Sequence, residues 1–448
     1  MKVVIGVDIG SSGIKAVLYE PEKEEVLYAD ERSISSRIRS SPEYFEEDPI
    51  TLRDQVFHSI RSLVNYASSN DHIIEAIAFT GQMHGGLLVD RDLQPLTPII
   101  TWQDKRGNER RSDGKTYVEE LRELLPYDPT GVSVHSGFLI PSLYWLRVNG
   151  LFPNNAAKVL GIYDWLQSIL IGRAVTDVSS AAAWAMFDPI SKSWKASLID
   201  FAGIDKDLLP DVAEPGSKIG NINSEIARAL GIEDRVAVYA SVGDTQAAYL
   251  GSGTTSKEVL VNFGTGSQSM WETKFLEATH GTDIRYLRDG RYLACAPTLA
   301  GGEAYNIMAD FFRDVLRVFT NSYLPSLDIF RIMDELALSS NSEGIAIDPI
   351  FQGSKFRDDA DRASVANLTK LNFKAGPFIR ALVEGMVEEI AAPYYLRGEY
   401  EHTGLVGGGN ALRPNSALRQ VAEERFNLPL RVSKNESEAA VGAAMLCL

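Results

Sequence analysis

Asp8 and the glycine-rich turn that follows it are the first residues in the sequence with a chemistry of their own. The β-branched run from Val3 leads to Asp8, and the turn Gly10-Ser11-Ser12-Gly13 precedes a second apolar run. This order predicts a β-hairpin. Glycine N–H groups and serine hydroxyls in such a turn can bind phosphate oxygens, a carboxylate beside it can hold hydrated Mg²⁺, and Lys15 adds a positive charge. The alternative is a plain tight turn with Asp8 as its acceptor.

Asp244 is a second carboxylate that follows an apolar strand. The predicted strand 236–241 ends in Gly243-Asp244, and the helical segment 245–249 comes next. A carboxylate at the floor of a cleft can accept the proton of an alcohol that attacks a γ-phosphate. Asp is also a common N-cap residue, so a structural role for Asp244 stays open at this point.

Two more glycine segments lie in the second half of the chain. Gly264-Thr265-Gly266-Ser267 follows the strand 259–263 and repeats the strand, turn and strand order of the opening hairpin. Gly407-Gly408-Gly409-Asn410 offers a surface without side chains against which an adenine ring can lie. Taken singly, they are equally typical of a hairpin turn and of a loop before a helix. Together with Asp8 and Asp244, they predict two similar halves that clasp a nucleotide between them.

Polar and aromatic residues follow two further strands of the first half. Gln82, Met83 and His84 come after the strand 72–80, and Trp102 and Asp104 come after another apolar segment. In α/β proteins ligands bind at such strand ends, and this mixture suits sugar hydroxyls over an aromatic face. A structural role for His84 is the alternative.

The elements that position these residues fall into two predicted domains, 1–234 and 235–448. Residues 143–170 have a helical pattern that contains Asp164, and Asp177 follows it. In the second domain, the apolar spacing from Ile379 to Ile390 predicts an amphipathic helix. Pro414 is expected at the first position of another helix. A capping box at 433–436 would open a last helix rich in small residues.

Composition excludes several classes of protein. The 448 residues carry a net charge of −16, which argues against nucleic acid or an anionic membrane as partner. The two cysteines, Cys295 and Cys447, lie far apart in apolar settings, so neither a disulfide framework nor a thiolate zinc site is expected. No GxxxxGK[ST] or dinucleotide-type GxGxxG motif occurs, and no apolar run is long enough to span a membrane. We expect a cytoplasmic protein.

The set of motifs resembles the FGGY carbohydrate kinases over essentially the whole chain. The resemblance implies an α/β fold of two duplicated, ribonuclease H-like lobes, as in actin, hexokinase and Hsp70, with a nucleotide cleft between them. It also implies ATP and Mg²⁺ as cofactors and a small-molecule sugar as substrate. A homodimer is an expectation for the oligomeric state. By this resemblance Asp244 is the catalytic base, and Asp8 and Asp244 hold the metal. The implied nucleotide-binding residues are Gly10, Ser11, Ser12, Lys15, Gly264, Thr265, Gly266, Ser267, Gly301, Gly408 and Gly409.

Within the family, the Gly81-Gln82-Met83-His84-Gly85 loop is similar to that of xylulokinases and sedoheptulokinases. The resemblance implies that Gln82, Met83, His84 and Asp104 contact a ketose. The segments TWQD at 101–104, LPDVAEPGS at 209–217 and DTQA at 244–247 look closer to sedoheptulokinase, as does Ser142 where the family usually has lysine. Xylulokinase, with xylulose as substrate, is the alternative within the family. A non-catalytic actin-like or Hsp70-like ATPase or sugar sensor is the alternative of another class.

Overall fold

The computed structural model describes residues 1–125, 130–131, 133–321, 324–353 and 362–448. The chain divides into two compact units. The first unit contains Met1–Gly251, Arg285–Tyr292 and Ser437–Leu448, and the second contains Ser252–Ile284 and Leu293–Glu436.

Residues 1–251 alternate between strands and helices. The strands are β1 Lys2–Ile9, β2 Gly13–Glu20, β3 Glu25–Ser33, β4 Arg37–Ser41, β5 Tyr44–Glu47, β6 Ile73–Gly81, β7 Leu87–Val89, β8 Ile99–Ile100, β9 Lys158–Leu160, β10 Val175–Asp177, β11 Phe187–Asp188, β12 Ser193–Trp194, β13 Asp211–Ala213, β14 Lys218–Asn221 and β15 Ala237–Tyr239. The α-helices are α1 Pro49–Ser69, α2 Tyr117–Glu123, α3 Leu139–Val148, α4 Ile162–Ile171, α5 Val178–Ala183, α6 Ala196–Phe201, α7 Ser224–Leu230 and α8 Asp244–Gly251. Short 3₁₀ helices lie at Arg106–Asn108 and Lys206–Leu208.

The later residues follow the same alternation. Their strands are β16 Glu258–Phe263, β17 Ser267–Thr273, β18 Asp283–Tyr286, β19 Tyr292–Thr298, β20 Ala346–Asp348, β21 Ser364–Ala366, β22 Gly404–Gly408 and β23 Leu430–Val432. Their helices are α9 Gly302–Thr320, α10 Ser326–Leu338, α11 Ala375–Arg397, α12 Ser416–Phe426 and α13 Glu438–Met445.

The first unit is organised around a six-stranded sheet in the order β14-β15-β6-β1-β2-β3. The predicted opening hairpin is confirmed, since β1 pairs antiparallel with β2, with Asp8 opposite Lys15. β1 also pairs parallel with β6, which puts Asp8 beside Thr80. Alternate residues of β1 pack on two different layers. Val3, Ile5, Val7 and Ile9 join a core with α1 and α4 residues, and Val4 joins a smaller core with α13.

The last helix returns to the first unit and packs against backbone. A Cβ atom on Gly6 of β1 would lie 2.0 Å from the Ala440 carbonyl oxygen, and one on Gly442 would lie 1.9 Å from the Ala247 carbonyl oxygen. On α8, a Cβ on Gly251 would meet the Glu438 carbonyl oxygen at 1.8 Å. The predicted close packing of this small-residue helix is therefore confirmed. Through these contacts α13 fixes β1, which carries Asp8, and α8, which begins at Asp244.

A second six-stranded sheet has the order β18-β19-β17-β16-β22-β23, and its strands β17, β16, β22 and β23 lie in the second unit. The hairpin predicted around Gly264 to Ser267 is confirmed, because β16 and β17 are antiparallel with Phe263 opposite Ser267. β22 pairs parallel with β16 and ends at Gly408, so the predicted glycine loop begins at the same sheet. The predicted helix through Ile379 and Ile390 is α11.

Several predicted boundaries differ from the structure. The expected domain boundary after Asp234 precedes β15, which pairs with β6 of the first unit, so Asp244 also lies in that unit. The capping box at 433–436 is wrong, since α13 begins at Glu438 after Ser437, whose side chain makes no capping hydrogen bond. Asn415, and not Pro414, precedes the first turn of α12 and caps it. The helical pattern 143–170 is two helices, α3 and α4, with β9 between them.

Gly442→Ala should destabilise the first unit. The added methyl group would overlap the Ala247 carbonyl, and overpacking of this kind costs about 1–3 kcal/mol. Denaturant unfolding of the full chain measures the loss. Met445→Leu, at a partly exposed position of the same helix, is the control and should change stability by less than about 1.5 kcal/mol. Equal stability of Gly442→Ala and the wild-type protein would contradict the packing described for α13.

Candidate active site

Asp8 has a carboxylate oxygen that no protein group satisfies. Its Oδ1 atom is buried and accepts no hydrogen bond. Burial, followed by the negative charge of Asp244, raises the pKa of Asp8 to about 7, and the positive charge of Lys15 partly offsets this. A buried acceptor of this kind is costly unless a ligand completes it. The Asp8 carboxylate therefore needs a cation or a hydrogen-bond donor from a ligand.

The turn after Asp8 is fixed by hydrogen bonds to its own backbone. The Gly10 N–H donates to the Gly13 carbonyl at 3.0 Å, which closes the turn. The Arg37 guanidinium donates to the Ser11 carbonyl at 2.6 Å. Ser12 is exposed, and Lys15 Nζ lies 3.4 Å from Glu31 Oε1 on the neighbouring strand. Lys15 is thus already paired with a carboxylate, and its predicted nucleotide role stays a prediction.

Asp244 begins α8 and is held close to the end of β6. Its Oδ1 atom accepts hydrogen bonds from the Thr245 N–H at 2.7 Å and the Thr245 hydroxyl at 3.3 Å. The hydroxyl of Thr80, the residue beside Asp8, donates to the Val242 carbonyl at 2.6 Å. This contact explains how two aspartates from distant parts of the sequence come to influence each other.

The two aspartates suit a magnesium ion. Among the described residues no group of three or more His, Cys, Asp or Glu side chains could hold a metal ion by itself. Mg²⁺ is usually bound by one or two carboxylates together with water and phosphate oxygens. Asp8, with its unsatisfied oxygen, and Asp244 provide a donor set of that kind. The residues therefore fit the implied metal.

The loop after β6 lies beside Asp244. Gln82 and Met83 are buried, and a Cβ atom on Gly243 would lie 2.3 Å from the Met83 sulfur. His84 is partly exposed and has a φ of 74°, which is unusual for a residue other than glycine. Its Nδ1 lies 2.8 Å from the Ala183 carbonyl, so Nδ1 carries the proton. Its ring stacks on Phe138 with centroids 4.2 Å apart. The structure thus places Met83 against Gly243, the residue before Asp244, and fixes the orientation of the His84 ring.

The environment of Asp104 does not fit the sugar contact predicted for this residue. It is fully buried, and its two oxygens accept four hydrogen bonds, from the N–H groups of Phe45 and Arg106 and from the Arg106 guanidinium. A carboxylate has about four acceptor positions, so Asp104 is saturated by the protein. Arg106 also binds Glu46 and lies over the Tyr44 ring. Asp104 therefore stabilises this part of the fold, whereas the nearby Trp102 is 42% exposed and available to a ligand.

Glu47 is a residue that the sequence analysis missed. It is buried, and it accepts hydrogen bonds from Gln82 Nε2 at 3.2 Å and the Ser36 hydroxyl at 3.1 Å. Burial raises its pKa. The Gln82 Oε1 atom is buried without a partner. In the sequence, Glu47 is one acidic residue within a generally acidic stretch. Nothing there distinguishes it from its less buried acidic neighbours.

In the second unit, the three predicted glycine segments converge. The Gly302 N–H donates to the Gly264 carbonyl at 2.8 Å, and a Cβ on Gly301 would lie 2.2 Å from the Gly266 carbonyl carbon. Gly409 has a φ of 85°, and a Cβ there would lie 2.4 Å from the Phe263 carbonyl oxygen. Thr265 is exposed at the tip of the turn. These backbone contacts require glycine and leave a surface with few side chains.

Ser267 differs from the other predicted phosphate-binding residues of this turn. Its side chain is buried and donates to the Ala300 carbonyl at 2.9 Å. The hydroxyl therefore ties the turn to the segment before α9.

A family model and several relatives match this chain. The model for the N-terminal domain of the FGGY family of carbohydrate kinases matches residues 3–251. A xylulose kinase of Staphylococcus epidermidis is 26% identical over 460 residues, covering 99% of this chain and 87% of the relative. A sedoheptulokinase of Mus musculus is also 26% identical, over 487 residues, covering 100% of this chain and 97% of the relative.

Solved structures show the same fold. A ligand-bound xylulose kinase of Lactobacillus acidophilus has a TM-score of 0.85 at 23% identity, covering 100% of this chain and 89% of that chain. A xylulose kinase of Rhodospirillum rubrum has a TM-score of 0.87 at 23% identity, covering 99% and 89%. The predicted α/β fold of the two-domain actin and hexokinase type is therefore confirmed.

No helix in the described parts of the chain combines the length and the apolar character that crossing a bilayer requires. The cytoplasmic location and the homodimer stay predictions.

Asp8→Asn should change how the stability of the ligand-free protein depends on pH. Because the folded state raises the pKa of Asp8 to about 7, protonated Asp8 favours folding. This contribution is full below the ordinary carboxyl pKa and is lost as the pH rises through about 7. We expect the melting temperature of the wild-type protein, relative to Asp8→Asn, to fall between about pH 4 and pH 7. Added Mg²⁺ should raise the wild-type value more than that of the variant. Parallel pH profiles of the two proteins would contradict the burial of this charge.

Asp104→Ala should unfold at lower denaturant concentration than the wild-type protein. The substitution leaves the buried Arg106 guanidinium without its main partner, and removing one member of a buried ion pair costs about 3–5 kcal/mol. Trp102→Ala, at an exposed position two residues away, is the control and should change stability by about 0.5 kcal/mol or less. An Asp104→Ala protein of normal stability would restore the predicted sugar contact as the better interpretation.

Proposed function

The chain belongs to the FGGY family of carbohydrate kinases, and we propose that it transfers the γ-phosphoryl group of ATP to the terminal hydroxyl of a ketose. It is thus a phosphotransferase with an alcohol group as acceptor. Sedoheptulose, giving sedoheptulose 7-phosphate, is the substrate that we propose. The observation that carries the mechanism is the proximity of Asp244 to Asp8, whose buried oxygen has no protein partner.

Asp244 would act as the general base. The substrate hydroxyl oxygen forms a bond to the γ-phosphorus, the bond between that phosphorus and the departing ADP oxygen breaks, and the hydroxyl proton passes to the Asp244 carboxylate. The Thr245 N–H and hydroxyl both donate to Oδ1, and these hydrogen bonds fix the orientation of the carboxylate. Positioning of this kind supplies most of the catalysis in phosphoryl transfer.

Asp8 and Asp244 would hold Mg²⁺. When bound, the ion neutralises phosphate charge during the transfer. Asp8 must be ionised to bind the ion, and its raised pKa shows that the protein alone does not favour that form. The residue therefore suits a site that a cation completes, and the Gly10 to Gly13 turn beside it offers N–H groups to the phosphates.

The glycine cluster of the second unit supports nucleotide binding. The turn at 264–266 would provide N–H donors for phosphate oxygens, and Gly408 and Gly409 would form the glycine surface for the adenine ring. The mutual contacts of these segments support this assignment, because Gly266, Gly301 and Gly409 each lie where a Cβ atom would overlap the backbone of a neighbouring segment.

The choice of sugar depends on particular residues, since the sedoheptulokinase and the xylulose kinase relatives are equally similar at 26% identity. The TWQD segment, DTQA at 244–247, LPDVAEPGS at 209–217 and Ser142 support sedoheptulose. The xylulose kinase relatives support D-xylulose as the second candidate, to be converted to xylulose 5-phosphate. We assign the partly exposed His84 and the exposed Trp102 to the sugar in either case, together with the buried Gln82 and Met83.

Asp244→Asn should lose most of its turnover while it still binds nucleotide. The substitution keeps the shape of the side chain but removes the proton acceptor, a change that costs about 100-fold to 10,000-fold when a general base is lost. ADP release from Mg-ATP is measured with sedoheptulose, xylulose, ribulose, fructose and glycerol, and nucleotide affinity is measured separately by calorimetry.

The rates with the five sugars also test the proposed substrate. A sedoheptulose rate well above the others would support the proposed substrate, whereas faster turnover of xylulose would replace it and leave the kinase chemistry unchanged. Release of ADP that is independent of sugar and equal in the wild-type and Asp244→Asn proteins would overturn the kinase proposal in favour of an ATPase or sensor.

A further inference from the structure

The segment Ser241-Val242-Gly243, directly before Asp244, is held by side chains. β15 ends at Tyr239, so the sheet does not supply the hydrogen bonds of this segment. The Ser241 N–H donates to Gln167 Oε1 at 3.2 Å, and the Gly243 N–H donates to the Ser179 hydroxyl oxygen at 2.9 Å. Buried backbone groups need such partners. The position of Asp244 therefore depends on polar residues of α4 and α5.

The Ser179 hydroxyl has only one possible orientation. It donates its proton to Asp177 Oδ1, which also accepts the Ser179 N–H at 2.7 Å. A serine hydroxyl has one proton and two lone pairs, so its oxygen is left to accept from the Gly243 N–H. Asp177 thus determines which way the Ser179 oxygen faces.

Gln167 is oriented in a similar way. Its Nε2 group donates to the Val175 carbonyl at 3.2 Å and to Asp164 Oδ1 at 3.4 Å. Its Oε1 atom therefore faces Ser241, where it accepts from both the N–H and the hydroxyl. Asp164, Gln167 and Asp177 are all fully buried. They are too deep to contact a sugar or a nucleotide from solvent.

We infer that Ser179, oriented by Asp177, is a positioning residue for the catalytic base. Its hydroxyl fixes the Gly243 N–H and with it the peptide that precedes Asp244. This inference rests on the proposed function, because it gives Ser179 a kinetic role only if Asp244 is the base. The competing explanation is a buried polar core that stabilises the fold without affecting the reaction.

The chain contains a matched control for this inference. Ser180 follows Ser179 on α5, is equally buried at 2% exposure, and donates to the other acid of the cluster, Asp164 Oδ2, at 2.5 Å. The contacts described for segment 241–243 involve Ser179 and not Ser180. Ser179→Ala and Ser180→Ala therefore remove the same group from neighbouring buried positions, but only the first removes a partner of the Gly243 N–H.

The experiment measures kcat, the KM for Mg-ATP and the melting temperature of the wild-type, Ser179→Ala, Ser180→Ala and Asp244→Asn proteins, with sedoheptulose and with xylulose as acceptor. We expect kcat of Ser179→Ala to fall by about 10-fold to 100-fold, the effect of a small misplacement of a catalytic group. Its KM for Mg-ATP should stay near the wild-type value. Ser180→Ala should keep kcat close to that of the wild-type protein, even if both variants melt at similar, lower temperatures.

Suppose that wild-type turnover depends on sugar and is lost in Asp244→Asn. Equal kcat values for Ser179→Ala and Ser180→Ala would then overturn the positioning role of Ser179 but not the proposed function. Absence of sugar-dependent turnover, or normal turnover in Asp244→Asn, would overturn the proposed function and this inference with it. If Ser179→Ala does not fold, Ser179→Cys replaces it, since the thiol has nearly the same shape and is a weaker acceptor. A wild-type kcat for that variant would also overturn the inference.

Discussion

The close approach of α13 to the backbone of β1 and α8 is the constraint on which the rest of the first unit depends. Gly6, Gly251 and Gly442 each lie where a Cβ atom would overlap a carbonyl oxygen of the neighbouring element. Because these contacts are between backbones, they leave little freedom in the distance between β1 and α8. The two elements carry Asp8 and Asp244. The separation of the two carboxylates is therefore set by packing on the side of the sheet away from α1, by residues that take no part in the chemistry.

This arrangement places a pair of acids in an environment that does not favour two negative charges. Burial and the neighbouring carboxylate raise the pKa of Asp8, and Lys15, which would be the obvious counter-charge, also pairs with Glu31. A protein that neutralised Asp8 completely would have little need of a cation. The unsatisfied oxygen therefore supports the metal site that we propose.

Much of this architecture could be predicted from the sequence because it is local. The hairpins at Gly10 and Gly264 are encoded by adjacent residues, and the small residues of α13 indicate close packing wherever that helix lies. The domain boundary could not be predicted, because the pairing of β15 with β6 joins residues that are far apart in sequence.

The same reason explains what was missed within the site. Asp104 looked like a ligand contact beside Trp102, but Phe45 from a distant strand and Arg106, two positions away, together saturate it. The roles of Asp177 and Ser179 depend on Gly243, which lies 64 positions from Ser179 along the chain. Polar residues within apolar patterns were visible in the sequence, but their partners were not.

The division of the first unit between the beginning of the chain and residues 437–448 also affects how the protein is made. During synthesis β1 and α8 leave the ribosome long before α13, and all of the second unit is translated in between. The face of the first sheet that α13 covers contains Val4, Val17 and Tyr19. This face stays exposed until α13 has been translated. Contacts that join such distant residues form slowly, and exposed apolar surface promotes aggregation in the meantime. The docking of α13 therefore completes this core late in synthesis.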